Sequence, residues 1–265
     1  MSNKGHFFSK KGVLLTVSIL ILVFLVIFFL PERREQLKTE HFTFNFSKSI
    51  DVSKINGLAS SLENSYERIA NDLKTKPADN IEVYFYAQRW RYIKATGNWS
   101  ASGNIEGIAR MHFVEEAWGE EDSKKVAIHE FAHTVTLKLL IEHEMQPLNA
   151  EDFDKKFTAF PVWLWEAISV YEADQFIDPG TLPFFNNDSY PGISELNDRS
   201  KGGKIYKVGY TIIEYIIHEY GQDKLLELVR KYGDLLNVLG VSEDQFCKDW
   251  FAFVRQKYLS SYDGY

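Results

Sequence analysis

The chain has 265 residues, a formal net charge of −7 and a single cysteine, Cys247. Its apolar fraction of 45% and charged fraction of 25% are those of an ordinary globular protein with room for a packed core. The acidic balance argues against a nucleic-acid partner, and one cysteine excludes both an intramolecular disulfide and a cysteine-built metal cluster.

Residues 13–30 form an apolar run broken only by Thr16 and Ser18, long enough for a helix to cross a bilayer. Lys4, Lys10 and Lys11 precede it, and 31–35 (Pro-Glu-Arg-Arg-Glu) ends it. The run is longer than a signal-peptide core, and no small-x-small cleavage pattern follows. The pattern predicts an uncleaved signal-anchor: a short cytoplasmic tail over 1–12, one transmembrane helix over 13–30, and a domain over 38–262 outside the cytoplasm.

Polar–aromatic alternation predicts a half-buried strand over 40–46. Asp51 is placed to cap a helix over 53–73, with Ile55, Leu58, Leu62, Tyr66 and Ile69 at helical spacing. After a turn at 77–80 come a strand over 81–86, a short helix over 89–95 ended by Gly97, a loop over 98–104 and a third strand over 105–114. The second half reads as helices over 123–142, 163–175, 204–220, 223–233 and 242–258, with a long irregular connection over 181–203. Strands first and helices second predict an α+β fold: a small antiparallel or mixed sheet with a helical C-terminal lobe.

The chemistry lies in His129-Glu130-Phe131-Ala132-His133. Histidines four apart project from one helix face, one turn from each other, and can share one zinc ion. Glu130 can then reach the water that zinc activates and take its proton as general base. The flanking residues are apolar on nearly all sides, so this is a core helix. Two imidazoles and a carboxylate there cost several kcal/mol unless a partner satisfies them.

Zinc hydrolysis needs a third protein ligand. Thr136 and Leu139 stand where a metzincin carries glycine and histidine, which excludes that type, and His143 reads as exposed to solvent. Glu166, a carboxylate among tryptophans, is the preferred ligand; a buried salt bridge is the alternative explanation for it. Glu172 and Asp174 are lesser candidates, and Glu172 could instead orient a histidine.

These residues resemble the gluzincins, zinc peptidases of the thermolysin and aminopeptidase-like MA clan, here as a membrane-anchored bacterial member. The resemblance runs over about 40–258 and rests on the histidine motif together with Pro161-Val162-Trp163-Leu164-Trp165-Glu166-Ala167-Ile168-Ser169-Val170-Tyr171. Tyr206, Tyr220-Gly221, Phe246 and Trp250 fit later, weaker patterns. Ala167 and Ser169 depart from the usual glycine and alanine, and Val170 stands where thermolysin carries an aspartate. The resemblance implies a zincin-like domain with His129, His133 and Glu166 as zinc ligands and Glu130 as base. It also implies a substrate-pairing strand over 105–114, with Gly107, Ile108 and Ala109 beside the substrate backbone, and an oxyanion-stabilising tyrosine, Tyr206 before Tyr210. The expected activity is hydrolysis of a peptide or protein substrate, endopeptidase favoured over aminopeptidase. The rivals are a catalytically silent, membrane-tethered binding or regulatory module and a zinc hydrolase acting on a non-peptide amide.

Overall fold

The computed structural model describes residues 16–19, 22, 32–115, 122–144, 148–187, 189–198 and 203–259. The chain divides into two units, 1–34 and 35–265. Most of the expected anchor at 13–30 lies outside the described residues. Among the described residues, no helix is long and apolar enough to cross a membrane.

The fold is α+β. Its first half builds a mixed five-stranded sheet from β1 (Arg34–Lys38), β2 (Phe42–Ser47), β3 (Ile81–Tyr86), β4 (Gly103–Ile105) and β5 (Arg110–Val114). The strand order is β1-β2-β3-β5-β4. β3 runs parallel to both β2 and β5, and β4 closes the edge antiparallel to β5. The register aligns Phe44 with Val83 and Phe85 with Phe113, so alternate side chains enter one core. The sequence predicts half-burial for β2, yet only Asn45 in it is not buried. An interior strand has neighbours on both sides, and its polar residues are covered as well.

The expected single strand over 105–114 is a hairpin. Ile105 ends β4, residues 106–109 turn with Gly107 at φ 65°, and β5 returns. Alternation cannot distinguish one strand from two when the turn is this short; the left-handed glycine marks the reversal.

Helix α1 (Val52–Asp72) follows β2. The Asp51 carboxylate caps it by accepting from the Ser53 amide, and the predicted stripe of Ile55, Leu58, Leu62, Tyr66 and Ile69 is buried. The short α2 (Arg89–Thr96) ends at Gly97, which is left-handed at φ 70°. Helix α3 (Ser123–His143) is capped by Asp122 and buried on nearly every side. Phe131, inside the histidine motif, packs 5.4 Å from Phe42 and 5.8 Å from Tyr66 (ring centroids). This aromatic contact pins the back of α3 to the sheet and to α1, which fixes the direction of the opposite face.

The helical lobe contains α4 (Ala150–Thr158), α5 (Val162–Glu172), α6 (Pro183–Asn186), α7 (Ile193–Leu196), α8 (Lys204–Tyr220), α9 (Gln222–Arg230), α10 (Leu235–Leu239) and α11 (Glu243–Val254). The sequence reading missed α4 and α10, which are short and amphipathic. The connection expected to be irregular over 181–203 contains α6 and α7, whose Ile193 and Leu196 are buried. Helix α5 packs against both α3 and α8 and so joins the lobe to the first half. Trp163 and Trp250 are fully buried, and the Trp250 indole N–H donates to Thr211 Oγ1 at 3.1 Å.

Candidate metal centre

Helix geometry brings His129 and His133 to one face of α3, with ring centroids 4.7 Å apart. Glu166 comes from the middle of α5, which lies against that face. One Glu166 oxygen, Oε2, is 3.3 Å from His129 Nε2 and 3.5 Å from His133 Nε2. Donor atoms of the three residues all lie within 4.8 Å of one another, and all three residues are buried. Glu172 and Asp174 are not members of this cluster.

The two remaining ring nitrogens are occupied. His129 Nδ1 lies 2.8 Å from Gln175 Oε1, and His133 Nδ1 lies 2.8 Å from Ser169 Oγ. In the neutral form an Nδ1–H donates to each oxygen and leaves Nε2 open to a cation; where Nε2 carries a proton instead, it donates to the Glu166 carboxylate. Trp165 stacks on His133 at 4.3 Å and 9°, which fixes the ring plane. Burial opposes charge on His129, but the hydrogen bond to Glu166 and the charges of Glu130 and Glu166 raise its proton affinity. Burial would also raise the Glu166 carboxyl, yet hydrogen bonds from both histidines hold it well below the usual carboxylate range. Two neutral imidazole nitrogens and one carboxylate oxygen, converging in a buried space, fit a divalent cation such as zinc.

Glu130 sits on α3 beside this cluster, only partly buried, against the backbone of β4. Tyr206 lies on the first turn of α8, 41% exposed, with its ring 6.3 Å from that of His129. Tyr210, the second tyrosine candidate, packs instead between Tyr171 and Phe176. His143 is exposed, as expected.

Two expectations are corrected here. Glu172 does not orient a histidine. Its carboxylate takes Arg68 Nη1 at 2.5 Å, and Arg68 Nη2 donates to its carbonyl, also at 2.5 Å. Gln175 and Ser169 hold the imidazoles instead. Ser169 is one turn beyond Glu166 on α5, at a position the sequence marks only as a departure from the usual alanine. The second correction concerns the placement of Gly107, Ile108 and Ala109, which form the hairpin turn rather than part of a strand; β4 is the strand at that edge of the sheet. A third feature escaped the sequence altogether: Gly103 of β4 lies against Glu130.

The sequence matches no family model and none of the curated proteins. Among solved structures, the chain is similar to an aminopeptidase N family protein from Idiomarina loihiensis, at 10% identity and a TM-score of 0.43. That alignment covers 82% of this chain and 46% of the other, so the chain spans less than half the length of that protein.

Proposed function

We propose that this chain is a zinc metallopeptidase that hydrolyses peptide or protein substrates at the outer face of the membrane, held there by a helix over 13–30. The observation that carries the reading is the buried His129–His133–Glu166 cluster, with both Nε2 atoms turned to one carboxylate. In this reading these three residues hold zinc. A zinc ion bound there supplies Lewis acidity, which makes water a nucleophile near neutral pH and polarises a carbonyl.

The chain's own residues do the rest. Glu130 takes the proton of the attacking water and passes it to the leaving amine. Tyr206, close to His129 and open to solvent, donates a hydrogen bond to the developing oxyanion. The backbone of β4, rather than the 107–109 turn, lies alongside the substrate chain. Internal peptide bonds are the proposed target, since no acidic pair able to hold a substrate amine stands out in the sequence.

The test uses the full-length protein. Zinc at one per chain, lost in His133→Ala, is the expected result; absence of metal from both proteins would favour the silent, tethered module. Glu130→Gln should keep the zinc and lose about 10²–10⁴-fold in turnover. Full activity in that variant would remove Glu130 from its role. Release of the full-length chain from membranes by high salt alone would overturn the anchor.

A further inference from the structure

Gly103 has no conformational reason to be glycine. It lies in β4, paired with Phe113 of β5, and it is absent from the glycines with positive φ. Glycine in a strand costs stability through backbone entropy, and its usual justification is close approach of another group. That group is Glu130. A Cβ built on Gly103 would lie 2.6 Å from both Glu130 Cγ and Oε1, and 2.8 Å from Cδ. No real Cβ sits so close, so any side chain at 103 and the present Glu130 rotamer exclude each other.

The strand at this point is held from behind by α2. The Tyr92 hydroxyl donates to the Gly103 carbonyl at 2.9 Å in a buried setting, and Arg89 Nη1 donates to the Ala101 carbonyl at 2.5 Å. These two side chains are three residues apart on one helix face. The Val114 amide, donating to the Ser102 carbonyl at 3.1 Å, ties the same segment to β5. Burial first, and the charge of Glu130 next, push the Tyr92 phenol upward, so it remains a donor. Tyr92 itself is anchored with Tyr86 and Val114 in a small second core.

We infer that Gly103 is a positioning residue for Glu130, and that Tyr92 fixes Gly103 in turn. The bare backbone of β4 is the wall against which the Glu130 carboxylate rests. The inference rests on the proposed role of Glu130, and the experiment separates the two.

In the full-length protein, Gly103→Ala should keep one zinc per chain, leave KM within about threefold and lower kcat about a hundredfold, the scale of a 1 Å misplacement. Tyr92→Phe keeps the ring in its core and removes only the hydroxyl; it should lower kcat about tenfold with KM unchanged. Gly57→Ala, where a Cβ meets only Lys124 Cε at 3.7 Å, should change neither constant. A kcat within twofold of wild type in Gly103→Ala overturns the positioning role and leaves the peptidase reading intact.

Thermal unfolding of Gly103→Ala, Glu130→Ala and the double variant supplies a readout independent of turnover. If the wild type cleaves nothing, this cycle alone decides. A Tm loss for Gly103→Ala that disappears when Glu130 is alanine supports the contact. Equal losses in both backgrounds, or none in either, overturn it.

Discussion

Ser169 and Gln175 are neutral, and they stand where metal-binding histidines often meet carboxylates. Each imidazole is oriented without an added negative charge, so Glu166 is the one anionic member of the buried cluster. Ser169→Ala and Gln175→Ala should each weaken zinc binding about 10–100-fold in chelator competition. Glu172→Ala should leave zinc affinity near wild type, since its carboxylate serves Arg68; the reverse ranking would return Glu172 to the metal site.

Glu172 makes a separate prediction about pH. Burial pushes its carboxyl up from the ordinary 4.5 to about 7, with Arg68 opposing and Asp72 adding to the rise. Between those values the folded chain holds more protons than the unfolded one, so this group makes stability fall as pH rises through that window. The full effect is at most about 3 kcal/mol. Glu172→Gln should therefore flatten the slope of unfolding free energy against pH between about 4.5 and 7. Parallel slopes in the two proteins would show that Arg68 keeps the carboxylate charged throughout.

Between elements, α5 and α8 approach each other closely backbone to backbone beside the site. A Cβ on Gly209 would lie 2.9 Å from Ala167 Cα and 3.3 Å from its Cβ. Backbone cannot yield as a flexible side chain can, so the two helices would have to separate. Gly209→Ala should cost about 1–3 kcal/mol in urea unfolding. It should also weaken zinc binding, because Ala167 follows Glu166 directly. Gly57→Ala in α1, where the new Cβ would meet only Lys124 Cε at ordinary contact distance, should gain about 0.5–1 kcal/mol. Equal effects at the two sites would deny that helix contact sets the identity of residue 209. Cys247, on α11, plays no part here: burial pushes its thiol up to about 11, which leaves it an inert core side chain.

For the whole domain, the cluster links α3, which is packed on the sheet, to α5 of the helical lobe. A ligand that binds only the folded state stabilises it by mass action, about 4 kcal/mol at a thousand times its Kd. For a domain of this size, chelation should lower the Tm on the order of 10 °C, and His133→Ala should be insensitive to the chelator. An unchanged wild-type Tm would argue against a bound metal that bridges the two halves.

Local periodicity was sufficient for what lies within one element. The spacing of His129 and His133 places them on one face of any helix, and Asp51 and the stripe from Ile55 to Ile69 define α1 without reference to the rest of the chain. A carboxylate embedded in an apolar run, as Glu166 is, must find a partner, which made it readable as a ligand candidate before any contact was known. The pairing of residues distant in sequence was not readable in this way. Gln175 rather than Glu172 meets a histidine because α5 ends at Glu172 and the chain beyond it turns back towards α3. The hairpin at Gly107, the close fit of Gly103 to Glu130 and the hold of Tyr92 on β4 all depend on how separate elements stack. Backbone geometry acts over a few residues and is written into local sequence; packing acts between surfaces whose partners only the folded chain selects.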